Sequence, residues 1–234
     1  VAEVESRFDA EEEPVIHVEC MDAKCLLMKM QRLEIRSEKK IAAVVNALLG
    51  QQPVSSYLSG RTVQLAEAAA EPLQMNMDSD YDFLVRQAQY TGSEFFIFAG
   101  RAYFRQPPRA AAPALALGPS MGVYRAGVSL RGAPLVKKVT VAGVDPSSDN
   151  PVRASAAATG SFGKGAGPSR MLSGTERTYF DPRATSAKLA ADRAQVLMEG
   201  IQQQFGVLEC QCRGLPELVP GRWLKVQGFQ DEAN

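Results

Sequence analysis

Residues 75 to 108 read "MNMDSDYDFLVRQAQYTGSEFFIFAGRAYFRQPP", and the order of elements along this stretch decides the fold. An extended segment that places Leu73, Met75 and Met77 on one face leads into three aspartates at alternate positions, Asp78, Asp80 and Asp82. They imitate the opening of a calcium loop, whose side-chain oxygens at positions 1, 3 and 5 converge on the ion. The imitation stops at Phe83, where the loop needs a glycine, and again at Gln89, where it needs a bidentate glutamate. A helix start explains the same residues better. An Asp or Ser here accepts hydrogen bonds from orphan amides, and the remaining charge sits favourably at the positive end of the helix dipole. The predicted helix runs to about Tyr90, with Tyr81, Leu84, Val85 and Ala88 on one face and Phe83 and Tyr90 nearly opposite, the pattern of a helix wedged between two layers. Gly92 ends it. "EFFIFAGRAYFR" then reads as two aromatic-rich strands about a turn at Ala99 and Gly100. A nucleic-acid platform would interleave more basic residues than Arg101 and Arg105, so this hairpin reads as core.

Upstream, "PVIHVECM" alternates, with Ile16, Val18 and Cys20 on one face and Val15, His17 and Glu19 on the other, as in a strand. "KCLLMKMQRLEIR" continues in the same manner. Ser37 is the expected N-cap of a helix carrying Ile41, Val44, Val45 and Leu48, and Gly50 its left-handed terminator.

Downstream, residues 107 to 122 are rich in Pro, Ala and Gly and show no period, the composition of a boundary. "GVYRAGVSL", "LVKKVTVAGVD" and "PVRASAAA" are short β-type runs of the sort found in an antiparallel barrel or sandwich. "GSFGKGAGP" at 160 to 168 imitates a phosphate-binding loop but has Ala158 and Gly165 where that loop needs Gly and Ser or Thr, so it reads as a surface excursion. Asp181 as N-cap and Pro182 in the first turn start a long helix over 182–205, about 36 Å in length, with a stripe of Ala187, Ala190, Ala191, Ala194, Leu197, Met198, Ile201 and Phe205. The C-terminal strands "GVLECQCRG" and "RWLKVQGF" flank a loop turned by Pro220 and Gly221.

Composition narrows the chemistry. The 234 residues carry 26 basic and 26 acidic side chains, so no net field draws the chain to nucleic acid or an anionic membrane. No apolar run approaches the roughly 20 residues of a membrane helix. The opening "VAEVESRFDAEEE" has no signal-peptide pattern, and its acidic part, 9 to 14, reads as a solvated turn. Cys20, Cys25, Cys210 and Cys212 lack common zinc spacings, and Cys210 and Cys212 on a strand would face the same way as small buried side chains. The single histidine, His17, lies on an alternating strand with no nucleophile-elbow serine to serve. No catalytic residue, cofactor or metal site is expected. A carboxylate pair for glycoside cleavage is a property of the fold, and the sequence selects none.

"VESRFDAEEEPVIHVECMDAKCLLMKMQRLEIRSEKKIAAVVNALLG", the stretch quoted first and "GLPELVPGRWLKVQGF", taken in this order, resemble the baseplate hub family of contractile injection machines: the phage late-control protein D group and the hub part of the VgrG spike proteins of type VI secretion. The matching motif residues are Asp82, Phe83 and Leu84, then Gly92 with the hairpin, and finally Gly214, Pro216, Leu218, Pro220 and Gly221. The resemblance implies an α+β, mainly β chain with two barrel-like domains braced by helices. Residues 1–36 would be the end of a first barrel, 37–106 a connecting region, 107–122 a linker-like segment and 123–234 the second barrel. It further implies a non-enzymatic homotrimer, made in the bacterial cytoplasm and built into a virion tail or injection apparatus, that adapts a six-fold tail tube to a three-fold spike. Its partners would be itself, the tail tube protein, the central spike and other baseplate proteins. A carboxylate-based cell-wall hydrolase and an effector-loading adaptor are the alternatives.

Overall fold

The computed structural model describes residues 3–8, 15–38, 40–65, 73–108, 112–159 and 172–228. The chain is α+β and mainly β, and it divides into two compact units, residues 1–89 with 93–106, and residues 90–92 with 107–234. Among the described residues the strands form two- and three-stranded sheets and no closed barrel.

In the first unit β1 (Glu3–Arg7) pairs antiparallel with β2 (Val15–Glu19), and β3 (Gln31–Arg36) pairs antiparallel with β5 (Leu73–Ser79). A three-stranded sheet has β7 (Arg101–Arg105) between β4 (Gly60–Gln64) and β6 (Glu94–Phe98). The β6–β7 turn has Ala99 at φ 49° and Gly100 at φ 73°, the doubly left-handed turn that suits the twist of a hairpin. Helices α1 (Lys24–Lys29), α2 (Ile41–Gly50) and α3 (Asp80–Thr91) supply Leu27, Val44, Val45, Leu48, Phe83 and Leu84 to one core, closed by Met75, Ile97, Ala102 and Phe104 from the strands.

Several local expectations change. Lys24 to Lys29 is helical, because Asp22 holds its first turn, accepting from the Lys24 amide at 2.8 Å, and Ala23, Leu27 and Met30 fall at helical spacing toward the core. Helix α2 begins after Lys40 with no side-chain cap, so Ser37 plays no capping part. Gly50 is that helix's last residue rather than a left-handed terminator; a Cβ on it would meet only the movable end of the Arg61 side chain, at 2.6 Å. Met77 leaves the face of Leu73 and Met75 because the β3–β5 register shifts between Arg32 and Leu33; Met77 sits at φ 59° in the resulting bulge and is exposed. Phe83 belongs to the same buried face of α3 as Leu84, Gln87 and Ala88, not to an opposite one.

The second unit packs α4 (Ala187–Gln203) on a sheet ordered β11-β10-β12, from β11 (Pro151–Ala157), β10 (Lys138–Val144) and β12 (Glu176–Phe180). Its core joins Val139, Val141 and Ala156 to Ala190, Ala194, Met198 and Ile201. Gly143 marks the tightest approach: a Cβ there would stand 2.1 Å from the Ala184 carbonyl oxygen. The helix starts five residues later than 182, since Asp181 spends its carboxylate on the Arg183 amide in a turn and Ser186 caps instead, accepting from the Leu189 amide. Ala187 and Ala191 are consequently exposed and the helix is about 26 Å long. Part of 107–122 is built structure: β8 (Leu115–Leu117) pairs parallel with β14 (Leu224–Val226), a 3-10 turn follows at Pro119–Met121, and Leu117 is fully buried. Finally, β9 (Val123–Leu130) pairs antiparallel with β13 (Gly206–Cys212). The glycine-rich stretch 160–168 and the acidic run 9–14 lie outside the described residues.

Candidate assembly surfaces

The three aspartates at the start of α3 have separate partners. Asp78 takes a forked contact from Arg86, Nη1 to Oδ1 at 2.8 Å and Nη2 to Oδ2 at 2.6 Å. Asp80 is fully buried and accepts from Arg32 Nε at 2.7 Å, Arg32 Nη2 at 3.2 Å and Gln51 Nε2 at 2.6 Å. Asp82 lies in the first turn and pairs with Ser79, whose Oγ accepts from the Asp82 amide at 3.0 Å and donates to Oδ2 at 2.6 Å. Ser79 is therefore the cap, and the carboxylates diverge because a strand meets a helix between them. Among the described residues no group of three or more His, Cys, Asp or Glu is placed to hold a metal ion.

The remaining motif residues are structural in placement. Phe83 and Leu84 are fully buried. Gly92 has φ 66°, and a Cβ on it would lie 3.0 Å from Val196. Gly221 has φ 74° in the loop before β14, Pro216 and Pro220 are exposed, and nothing crowds Gly214. Cys210 and Cys212 face the same way at alternate positions of β13, since the bulge beside them adds its extra residue to β9, but both are half-buried rather than buried. His17 is exposed on β2, opposite Glu5.

Electrostatics follow fixed pairings. The Arg86 hydrogen bonds hold Asp78 below the usual carboxylate range, against slight burial. Hydroxyl and amide donation from Ser147 lowers Asp145, and the Thr140 hydroxyl with Lys138 lowers Glu176. These directions belong to anchored anions; a general acid needs the opposite. Burial opposes the charge of Arg36, but hydrogen bonds to Glu34 and Glu38 outweigh it and raise its affinity for the proton. Burial also raises Tyr90, whose ring lies between the guanidiniums of Arg183 and Arg193.

What the chain presents instead is uncovered apolar strand surface. On β1–β2, Val4, Ile16 and Val18 share a face and are 59%, 66% and 47% exposed. On β3, Leu33 and Ile35 are exposed on the face away from Met75. On β9–β13, Val128, Leu130 and Leu208 lie on one face and stand open, and Tyr124 is exposed in the bulge. Phe180 and Trp223 add to this set. Isolated two-stranded ribbons are marginal in water, and contiguous apolar faces of this kind mark contact surfaces. The alternation of these residues was readable in the sequence and predicts one apolar face per strand; that nothing in the chain's described residues covers the face was not.

No protein-family model and no curated protein sequence matches the chain. Solved structures do. The chain is similar to the 43 kDa tail protein of prophage MuSo2 from Shewanella oneidensis, with TM-score 0.67 and 13% identity over 97% of this chain and 67% of that one. It is similar to a tail protein from Neisseria meningitidis MC58, with TM-score 0.63 and 11% identity over 86% of this chain and 61% of that one. It is also similar to the prophage tail protein gp18 from Listeria monocytogenes EGD-e, with TM-score 0.59 and 11% identity over 99% and 67%. At these identities the likeness is one of fold. Among the described residues no helix is long and apolar enough to cross a membrane.

Proposed function

We propose that the chain is a structural part of a phage tail or a related injection machine, and more finely a subunit of the baseplate hub. The observation that carries this reading is the shared fold along 97% of the chain with the MuSo2 tail protein. The uncovered apolar faces of β1–β2, β3 and β9–β13 support it, because a subunit made to be surrounded leaves such faces for its neighbours. In this reading the two units correspond to two barrel-like domains per subunit, and three subunits make a pseudo-six-fold ring between tail tube and spike. The protein acts by holding geometry and catalyses nothing. It is made in the bacterial cytoplasm and incorporated into the tail.

Light scattering coupled to size exclusion tests the reading. A mass three times the 25.3 kDa of one chain is the expected result. A monomer at every micromolar concentration overturns it, and peptidoglycan cleavage then becomes the next assay.

A further inference from the structure

The second unit contains a core that closes on itself. Every buried residue of the cluster between α4 and its sheet lies between positions 135 and 205, and so does every half-buried hydrophobic residue packed against it. Val139, Val141, Ala194 and Met198 are fully buried there with no member of the cluster drawn from outside that span. Leu117 is also fully buried and Val123 nearly so, yet neither belongs to this cluster. Among the described residues no substantial contact joins α4 or β10–β12 to β8, β9, β13 or β14. The chain also enters and leaves this part at one place. Leu130 at the end of β9 stands opposite Gly206 at the start of β13, and one step further in the Arg131 amide donates to the Phe205 carbonyl oxygen at 2.7 Å. The 75 residues from Arg131 to Phe205 are thus the connection of a two-stranded ribbon, with hydrogen-bonded ends.

We infer that residues 131–205 are a separately folding module inserted between the two strands of the β9–β13 ribbon, so that the second unit unfolds as two cooperative bodies rather than one. The inference does not depend on the hub reading above. A helix packed on a three-stranded sheet around its own core is a complete two-layer arrangement, and a chain of this length is within the range that folds alone. Adjacent chain ends are the geometry in which a folded module is accommodated by a host without stretching it. The module also touches residues 90–92, where Arg193 Nη1 donates to the Tyr90 carbonyl oxygen at 2.9 Å and Val196 meets Gly92, but neither Arg193 nor Val196 belongs to its core. Dependence between the two bodies runs one way. A two-stranded ribbon is marginal in water, and closing it over 75 unstructured residues adds the entropy loss of a long loop, which the folded module removes by holding Arg131 beside Phe205. The ribbon therefore needs the module, whereas the module, with its core complete, does not need the ribbon.

Native-state hydrogen exchange on the full chain tests this, with wild type, the double variant Leu208→Pro/Glu209→Pro and Leu117→Ala. Neighbouring amides of an antiparallel strand point alternately to the two sides, so one of the two prolines removes a ladder bond of β13. Leu117→Ala instead hollows a buried site outside the module. The inference expects the inward amides of β9 and β13 to lose protection by about 100-fold or more in the proline variant, and those of β8 and β14 to lose it in Leu117→Ala. In both variants the protected amides of β10, β11 and α4 stay within about threefold of wild type. A loss of protection in β10, β11 and α4 that keeps step with the ribbon or with β8 and β14 overturns the inference, because the second unit is then one cooperative body. Should the proline variant not accumulate, Leu117→Ala decides, since it leaves both ribbon strands intact. Neither outcome concerns the mass of the assembly, so the hub reading stands or falls separately.

Discussion

Replacing Asp80 with alanine is expected to destabilise the first unit by about 3 kcal/mol. The carboxylate is fully buried and receives three donors, Arg32 Nε at 2.7 Å, Arg32 Nη2 at 3.2 Å and Gln51 Nε2 at 2.6 Å, while Arg32 Nη2 also donates to Gln51 Oε1 at 2.7 Å. Removing one member of a buried ion pair costs about 3–5 kcal/mol, mostly because the survivor is left charged and unpaired. Arg32 keeps 25% of its side chain exposed and can regain some water, which places the cost at the lower end. For a unit of about a hundred residues this is a fall in Tm of about 12 °C or more. Urea unfolding of Asp80→Ala, Arg32→Met and the double variant Arg32→Met/Asp80→Leu measures it as a cycle. The double variant should recover most of the loss, since an apolar pair of similar volume leaves no stranded charge. A loss below about 1 kcal/mol for Asp80→Ala, or a double variant as unstable as the sum of the singles, refutes the account of this network.

Three smaller perturbations follow from the geometry. Ala99→Asn puts a residue tolerant of positive φ at 49° and should raise the urea midpoint by the equivalent of about 0.5–1 kcal/mol. Gly143→Ala forces a methyl group to 2.1 Å from the Ala184 carbonyl oxygen and should cost about 3 kcal/mol in the second unit, read by thermal unfolding; tolerance of alanine would mean that the turn at Asp181 to Ala184 is not seated on β10 as described. Arg86→Met should cost less than about 1 kcal/mol at pH 7, because the arginine is 47% exposed. Asp78 is depressed in the folded chain, so its contribution is present above the unfolded value of about 3.9 and disappears as the pH falls through the lower, folded value; the gap between wild type and variant should close in acid.

How much was legible in the sequence depended on whether a signal was local. The β6–β7 hairpin was readable because Ala99 and Gly100 interrupt two aromatic runs, and a two-residue turn fixes its own register. The start of α3 was readable because Ser79 and Asp82 satisfy each other across one turn. The start of α4 was misplaced because Asp181 and Pro182 have the identities of a helix start but serve a turn, and Ser186 takes the cap five residues on. Lys24 to Lys29 went unrecognised as helix because six residues give less than two full periods, so both periodicities fit. Met77 was assigned to the wrong face because one bulged residue inverts every side-chain direction beyond it, and bulges leave no fixed mark in composition.

On the open strand faces the sequence reading went as far as short β-type runs such as "GVYRAGVSL" and no further. Ala126, Val128 and Leu130 alternate with Arg125, Gly127 and Ser129, and from alternation alone a buried face follows. The fold leaves that face uncovered among the described residues, as it leaves Leu33 and Ile35 on β3. A polar substitution at any of them would cost the separate chain little, yet each of these positions carries an apolar residue with the period of a buried strand. Burial completed by association, as the proposed role would supply, accounts for this pattern. These faces support the proposed role as an assembly part, beside the fold shared with phage tail proteins that carries it.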